Sequence, residues 1–95
     1  MIDSVDILGL TYTIRIVPII DKDTHTLGQI RYVEQEILLE DGMPEQRSNQ
    51  TLMHEILHGI LEQLGYDDLN ENEERVQGIA SALYQTLKPF ISFSG

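Results

Sequence analysis

Apolar residues in the second half of the chain recur at helical spacing. They fall three or four positions apart, so they share one face of an α-helix. The members of this stripe are Leu52, Met53, Ile56, Leu57, Ile60, Leu61 and Leu64. Pro44 suits the first turn of such a helix, where its missing N–H is no loss, and Gly65 suits a left-handed conformation just beyond its end. We therefore predict a helix from about Pro44 to Leu64.

A second amphipathic helix is predicted from about Glu71 to Leu87. Its apolar stripe consists of Val76, Ile79, Ala80, Leu83 and Leu87. The segment before it, Asp67 to Asn72, is polar and typical of a turn. Either Asn70 or Asn72 can cap the helix by accepting a hydrogen bond from a backbone N–H. Pro89 cannot continue a helix, so the helix should end before that residue.

Apolar and polar residues alternate in parts of the first half, which is typical of β-strands with one buried face. The pattern predicts strands from Leu10 to Ile16, from Gly28 to Val33 and from Glu36 to Leu39. Turn-forming residues lie at 21–24 and 41–42. With the two helices, these segments predict an α+β fold. It is a single domain over residues 1–95, with a small antiparallel or mixed sheet, most simply a meander, packed on two helices.

The sequence His54-Glu55-Ile56-Leu57-His58 lies within the first predicted helix. Positions i and i+4 of a helix lie on one face about one turn apart, so both imidazoles can bind one metal ion. Glu55 then lies beside the open coordination position, where it can take a proton from a bound water. This arrangement is typical of zinc hydrolases. Ile56 and Leu57 are apolar, as a buried helix requires.

The third metal ligand is less clear from the motif. The acidic and histidine candidates are Glu71, Glu73, Glu74, Asp67, Asp68 and His25. Glu73 borders the apolar stripe of the second helix, because Val76 and Ala80 follow it at i+3 and i+7. Glu74 is followed at those positions by Gln77 and Ser81, which places it on a more polar face. We therefore predict Glu73 as the third ligand.

Composition excludes several classes of protein. The chain has 16 acidic and 6 basic residues and a formal net charge of −10, which opposes binding to nucleic acids and to anionic membranes. It has no cysteine, so disulfides and thiolate ligands are excluded. No apolar run is long enough to predict a membrane span, and the N-terminus lacks a signal-peptide pattern. Cytoplasmic residence is the default expectation.

The chain resembles a small gluzincin and, more narrowly, the ImmA/IrrE-type zinc metallopeptidase-like domains of phages, mobile elements and bacteria. The resemblance includes the segments 27–30, 37–39, 50–58 and 73–80. In that family, the ligand Glu is followed by a small or apolar residue at +3, a polar one at +4, an apolar one at +6 and Ala at +7. From Glu73 these positions hold Val76, Gln77, Ile79 and Ala80.

The resemblance implies a zincin-like fold, a Zn²⁺ cofactor and a protein or peptide substrate, such as a phage or regulatory protein. It implies that His54, His58 and Glu73 hold zinc and that Glu55 is the catalytic general base of peptide-bond hydrolysis. Family members often have longer active-site loops. Here only fourteen residues separate His58 from Glu73, so we expect a minimal domain with an open cleft.

Several alternatives stay open. A donor to the reacting carbonyl could be Tyr32, Tyr66, Tyr84 or His25. A substrate strand could pair with the sheet edge near residues 32–39. The C-terminal segment, residues 88–95, could block the cleft of a latent peptidase. The alternative from another class is a zinc-stabilised protein-binding module, in which the metal is structural.

A second resemblance is weaker. Residues 58–68 are similar to the H-G-x-L-H-x-x-G-Y-D-H motif of a bacterial rRNA-processing endoribonuclease family. Glu62 and Asp68 stand where that motif has its second and third His. The acidic charge also opposes RNA binding, so we do not favour this interpretation.

Overall fold

The structure is a computed structural model that describes residues 3–21 and 26–90. It is an α+β fold with a four-stranded mixed sheet and two main helices, as the sequence predicts. The strands are β1 (Ser4–Ile7), β2 (Leu10–Val17), β3 (Gly28–Arg31) and β4 (Glu36–Glu40). The helices are α1 (Glu45–Leu64), the one-turn α2 (Asp67–Asn70) and α3 (Glu73–Leu87), followed by a 3₁₀ turn at Lys88–Phe90.

The strand order is β1-β2-β4-β3, with β2 and β4 parallel and the other two pairs antiparallel. The predicted meander is therefore wrong, because β4 lies between β2 and β3. Composition explains this order. Ile37, Leu38 and Leu39 of β4 are all buried, whereas every residue of β3 is at least partly exposed. The more apolar strand takes the central position, where both of its faces are covered.

Strand β1 was not predicted, because its polar residues weaken the alternation and its turn lacks the usual hairpin sequence. Leu8 and Gly9 both have positive φ, 50° and 93°, as a two-residue turn of type I′ requires. The Asp6 carboxylate accepts a hydrogen bond from the Gly9 N–H at 2.9 Å. Hairpin turns of this type usually have Asn, Asp or Gly at the first position, so Leu8 gave no sequence signal for the turn.

Helix α1 separates two apolar clusters. On one side, Leu52 packs with residues of β1, β2 and β4. On the other side, Met53, Leu57 and Leu61 pack against Val76, Ala80 and Tyr84 of α3. The predicted apolar stripe of α3 therefore coincides with the buried face only in part. Three members of that stripe are partly exposed: Ile79, Leu83 and Leu87. Apolar residues occur on two adjacent faces of α3, so periodicity did not distinguish the buried face.

Two glycines allow the edge strand β3 to lie close to α1. A Cβ at Gly28 would lie 2.6 Å from Thr51 Cγ2 and 3.1 Å from Glu55 Oε2. A Cβ at Gly59 would lie 3.0 Å from Ile30 Cδ1. Residue 28 thus lies near residues 51 and 55, and residue 30 near residue 59. Strand β3 therefore runs in the same direction as α1.

Helix α1 ends as the sequence predicts. Gly65 adopts the left-handed conformation with φ 77°, and its N–H donates to a carbonyl of the last turn. Asn72 caps α3, because its side-chain oxygen accepts from the Arg75 N–H at 3.1 Å. The intervening turn forms one turn of helix, α2, which brings the start of α3 beside α1. Among the described residues, no helix has the length and apolar character that a membrane crossing requires.

Candidate metal centre

Three side chains of α1 and α3 converge at one point. Nε2 of His54 lies 3.2 Å from Nε2 of His58. The Glu73 carboxylate lies 3.2 Å from the first of these atoms and 2.8 Å from the second. The i, i+4 spacing places both imidazoles on one face of α1, and Glu73 is the first residue of α3. In residues 3–21 and 26–90, this is the one group of at least three His, Asp or Glu that converges in this way.

The separations fit a tetrahedral metal ion. Ligand atoms at about 2.0–2.1 Å from zinc stand about 3.3 Å from each other in a regular tetrahedron. The three observed separations, 2.8 to 3.2 Å, are close to that value. Two imidazoles and one carboxylate form a donor set that divalent transition metals accept. His54, His58 and Glu73 are therefore compatible with one bound metal ion.

Glu55 lies beside these residues but is not one of them. Only 7% of its surface is exposed, and it lines the same cleft as the two histidines. Burial raises the pKa of Glu55 to about 7, against 4.5 for an ordinary glutamate. The nearby His58 lowers this pKa and Glu73 raises it, both by less than burial does. Its carboxyl group can therefore gain or lose a proton near neutral pH.

His58 is held by a partner that sequence analysis missed. Its Nδ1 lies 2.5 Å from Oδ1 of Asn70, and the Asn70 amide N–H donates to the Tyr32 hydroxyl at 3.3 Å. If Nε2 of His58 binds a metal, Nδ1 must carry the proton and donate it to Asn70. The side-chain oxygen of Asn70 must then face His58, and its NH₂ group must face Tyr32. The Tyr32 oxygen is therefore the acceptor of that hydrogen bond. The Tyr32 O–H is then free to donate into the cleft.

Asn70 was expected only as a helix cap. No local pattern could have identified it as a partner of His58, because the contact depends on the one-turn helix α2. Tyr32 lies in the turn after β3, and burial is the largest cause that raises the pKa of its hydroxyl. It therefore stays protonated at neutral pH. In contrast, Nδ1 of His54 is buried and has no hydrogen-bond partner within the described part of the chain.

The other predicted candidates lie elsewhere. Glu71, Glu74, Asp67 and Asp68 are exposed and are not part of the converging group, and neither is Glu62. Tyr84 is buried in the cluster between α1 and α3, which is incompatible with a donor role in the cleft. Tyr66 is 56% exposed and does not line the cleft. His25 and residues 91–95 of the C-terminal segment lie outside the described residues.

The converging group opens into a cleft of about 950 Å³ between β3, α1 and α3. One wall contains five consecutive residues, 26 to 30. Residues 28 to 30 belong to β3. Consecutive residues of a strand point to opposite faces, so a cleft lined by all three meets the edge of β3. Along α1 the cleft extends from His58 to Pro44, which is about 21 Å at 1.5 Å per residue. Most of its length therefore lies on one side of His54 and His58.

Comparison with known proteins found no match among protein-family models, curated proteins or solved structures.

Proposed function

We propose that the chain is a zinc-dependent metallopeptidase that hydrolyses a peptide bond, with Glu55 as the general base. The observation that carries this proposal is the position of a buried carboxylate beside two histidines and a glutamate at tetrahedral spacing. Three protein ligands with an open fourth position are typical of catalytic zinc, whereas structural zinc usually has four. The absence of cysteine fits this assignment.

A bound zinc ion would supply a Lewis acid that polarises the substrate carbonyl and lowers the pKa of a coordinated water toward about 7. Glu55 accepts a proton from the attacking water and passes it to the leaving amine. Its low exposure beside the two histidines supports both halves of this transfer. Tyr32 donates its hydroxyl hydrogen to the carbonyl oxygen as negative charge develops there. Asn70 supports this role, because its amide N–H donates to the Tyr32 oxygen and leaves the hydroxyl hydrogen available for the substrate.

The edge of β3 provides the surface on which an extended substrate binds. The expected edge near residues 32–39 is wrong, because residues 32–35 form a turn and residues 36–39 belong to β4, which is paired on both sides. Strand β3 pairs with β4 alone among the described strands, and its other edge faces the cleft. A substrate strand that adds to this edge gains main-chain hydrogen bonds and crosses the metal centre.

The competing function is a zinc-stabilised protein-binding module. One observation favours it: Glu73 links α3 to α1, yet its side chain is 68% exposed, so a metal there would act as a cross-link at the surface. The buried Glu55 disfavours it, because a purely structural centre needs no proton acceptor beside its ligands. A peptidase needs Glu55 for hydrolysis, whereas a binding module needs Glu55 at most for folding.

The test compares the zinc-loaded wild-type chain with Glu55→Gln and with Glu62→Gln, a control on the exposed part of the same helix. Each is assayed on a panel of unfolded proteins, with zinc content and thermal stability measured in parallel. We expect Glu55→Gln to keep zinc and to lose about 10²–10⁴-fold in cleavage rate, since Gln matches the shape of Glu but cannot accept the proton. Glu62→Gln should cleave like the wild type.

Equal cleavage by wild type and Glu55→Gln would overturn the proposed mechanism. No cleavage by a fully zinc-loaded wild type would favour the binding module. A Tyr32→Phe variant sharpens the assignment of the donor. It should lower the rate at saturating substrate while zinc content stays the same.

A further inference from the structure

Charge is distributed unevenly along the cleft. Its acidic residues, Glu55 and Glu73, both lie at the metal centre. Away from that centre, one charged side chain lines the described part of the cleft, and it is the cation Arg47. Its guanidinium group makes no ion pair or hydrogen bond within residues 3–21 and 26–90. Arg47 is exposed, and it is the one basic side chain that lines the described cleft, in a chain of net charge −10 with six Lys and Arg residues in all.

The position of Arg47 also weakens α1 itself. It lies in the first turn of the helix, where the partial positive charge of the helix end disfavours a cation. No side chain of the described residues caps this end. The free backbone N–H groups of the first turn therefore add positive potential beside the guanidinium. The carboxylate of Glu45 in the same turn offsets part of this potential, and an anion bound at this end of the cleft would offset more.

Antiparallel pairing with the edge of β3 is slightly more stable per residue than parallel pairing, and it would set the direction of a bound substrate. Strand β3 runs with α1, because Gly28 lies near Thr51 while Ile30 lies near Gly59. A substrate strand that pairs with β3 in the antiparallel direction therefore runs against α1. Its residues on the C-terminal side of the scissile bond lie toward the start of α1, where the cleft is long.

Helix geometry places Arg47 along that path. It precedes His54 by seven residues, which is nearly two full turns, so the two side chains share one face of α1 to within about 20°. The level midway between His54 and His58 lies about 13 Å from Arg47 along the helix axis. An extended strand covers that distance in about four residues, so Arg47 lies level with the fourth substrate residue after the scissile bond. The arginine side chain is long enough to reach the third residue as well.

We infer that Arg47 forms a subsite for a carboxylate at the third or fourth residue after the scissile bond. This inference rests on the proposed peptidase function and names its substrate class: peptides with Asp or Glu there, or peptides whose C-terminal carboxylate lies there. The net negative charge of the chain repels such substrates at long range. Physiological salt screens that repulsion beyond about 8 Å, so the cation in contact with the substrate decides the preference.

The experiment uses zinc-loaded full-length chain and short peptides that carry a hydroxamate group in place of the scissile bond. The hydroxamate binds the metal and sets the register, and four residues follow it on the C-terminal side. One series carries a single Glu at the second, third or fourth of these residues, with a C-terminal amide, and is compared with Gln and Lys at the same position. Another series replaces the side-chain carboxylate by a free C-terminal carboxylate after the third or fourth residue.

We expect Glu at the third or fourth residue to bind about fivefold more tightly than Gln, the upper value for an exposed ion pair. Glu at the second residue should show no preference. Arg47→Gln should abolish the preference, and Arg47→Glu should transfer it to Lys. Arg75→Gln is the matched control, because it removes the same charge from an exposed position on α3 outside the cleft. The free-carboxylate series shows whether a side chain or a chain terminus is preferred.

The outcomes separate this inference from the proposed function. Equal binding of the Glu and Gln peptides to the wild type would overturn the subsite, and so would a preference that survives Arg47→Gln. Either result leaves the peptidase proposal intact. No binding of any hydroxamate to zinc-loaded chain would overturn the metal centre and the subsite together. The measurement does not depend on turnover, so it remains decisive if no protein substrate is cleaved.

Discussion

Helix α1 packs against the sheet on one side and against α3 on the other, and the two interfaces are built differently. On the sheet side, Leu52, Ile37 and Leu39 are fully buried, and the strands beneath them are joined by main-chain hydrogen bonds. On the α3 side, Val76 and Ala80 are fully buried, but no main-chain ladder joins two helices. The side chains His54, His58 and Glu73 bridge this second interface.

The difference indicates where a metal would matter. Without a cation, the ring nitrogens and the carboxylate of the bridge must satisfy one another across the interface between α1 and α3. With a cation, the same atoms become a cross-link between those helices. The sheet side gains nothing directly from the ion. The candidate metal centre therefore belongs to the interface that depends more on side-chain chemistry, and the following predictions test that dependence.

The largest expected effect is that of metal removal. At a free zinc concentration of 1,000 times Kd, binding stabilises the folded chain by about 4 kcal/mol, so chelation should lower Tm by about 15–30 °C. Hydrogen exchange should show where the loss occurs. Amides of α3 should lose protection first, while those of β2 and β4 keep theirs. Equal loss in both regions, with metal release confirmed, would contradict the comparison.

The next effect is the loss of the third ligand. Glu73→Ala should weaken zinc binding by more than about 100-fold, since removal of a partner behind a ligand alone costs 10–100-fold. Glu74→Ala is the matched control, because both residues are acids in the first turn of α3 and lose the same interaction with the helix dipole. Competition with a chelator measures both affinities. A larger loss for Glu74→Ala would reassign the ligand.

Asn70 offers a sharper test of the same interface. Asn70→Ala removes the acceptor of the His58 Nδ1 proton and should weaken zinc binding by about 10–100-fold. Asn70→Asp keeps an acceptor and should restore most of the affinity. Asn72→Ala removes only the cap of α3 and should cost about 1 kcal/mol of stability. If Asn70→Ala and Asn72→Ala change zinc affinity equally, Asn70 acts through the helix and not through His58.

The smallest effect concerns the metal-free chain. Burial raises the pKa of Glu55 to about 7, so folding favours its protonated form. This contribution to stability is complete below pH 4.5 and is lost as pH rises through about 7, with a slope of up to about 1.4 kcal/mol per pH unit. Denaturation of metal-free Glu55→Gln should lack this slope, whereas Glu62→Gln should keep it. Identical pH profiles for wild type and Glu55→Gln would show that Glu55 is not desolvated.

Local patterns were sufficient for part of the fold. The helix that carries the motif and its end at Gly65 depend on residues a few positions apart, so the sequence predicted them, and it narrowed the cap of α3 to Asn70 or Asn72. Sheet order depends on pairings between distant segments, such as Thr13 with Glu36, and the predicted meander was wrong. The buried face of α3 was predicted only in part, because Ile79 and Tyr84 lie on adjacent faces and only contact with α1 distinguishes them.

The same division applies to the candidate site. The sequence by itself determined that His54 and His58 share one face of a helix with Glu55 beside them, because helical rise and rotation are set by the backbone. It also favoured Glu73 over Glu74 through the periodicity of α3. Tertiary structure alone decided that Asn70 supports His58 and that Tyr32 approaches the site. It also placed the edge of β3 along the cleft toward Arg47. These contacts join side chains from separate elements, and their distances depend on how the elements pack.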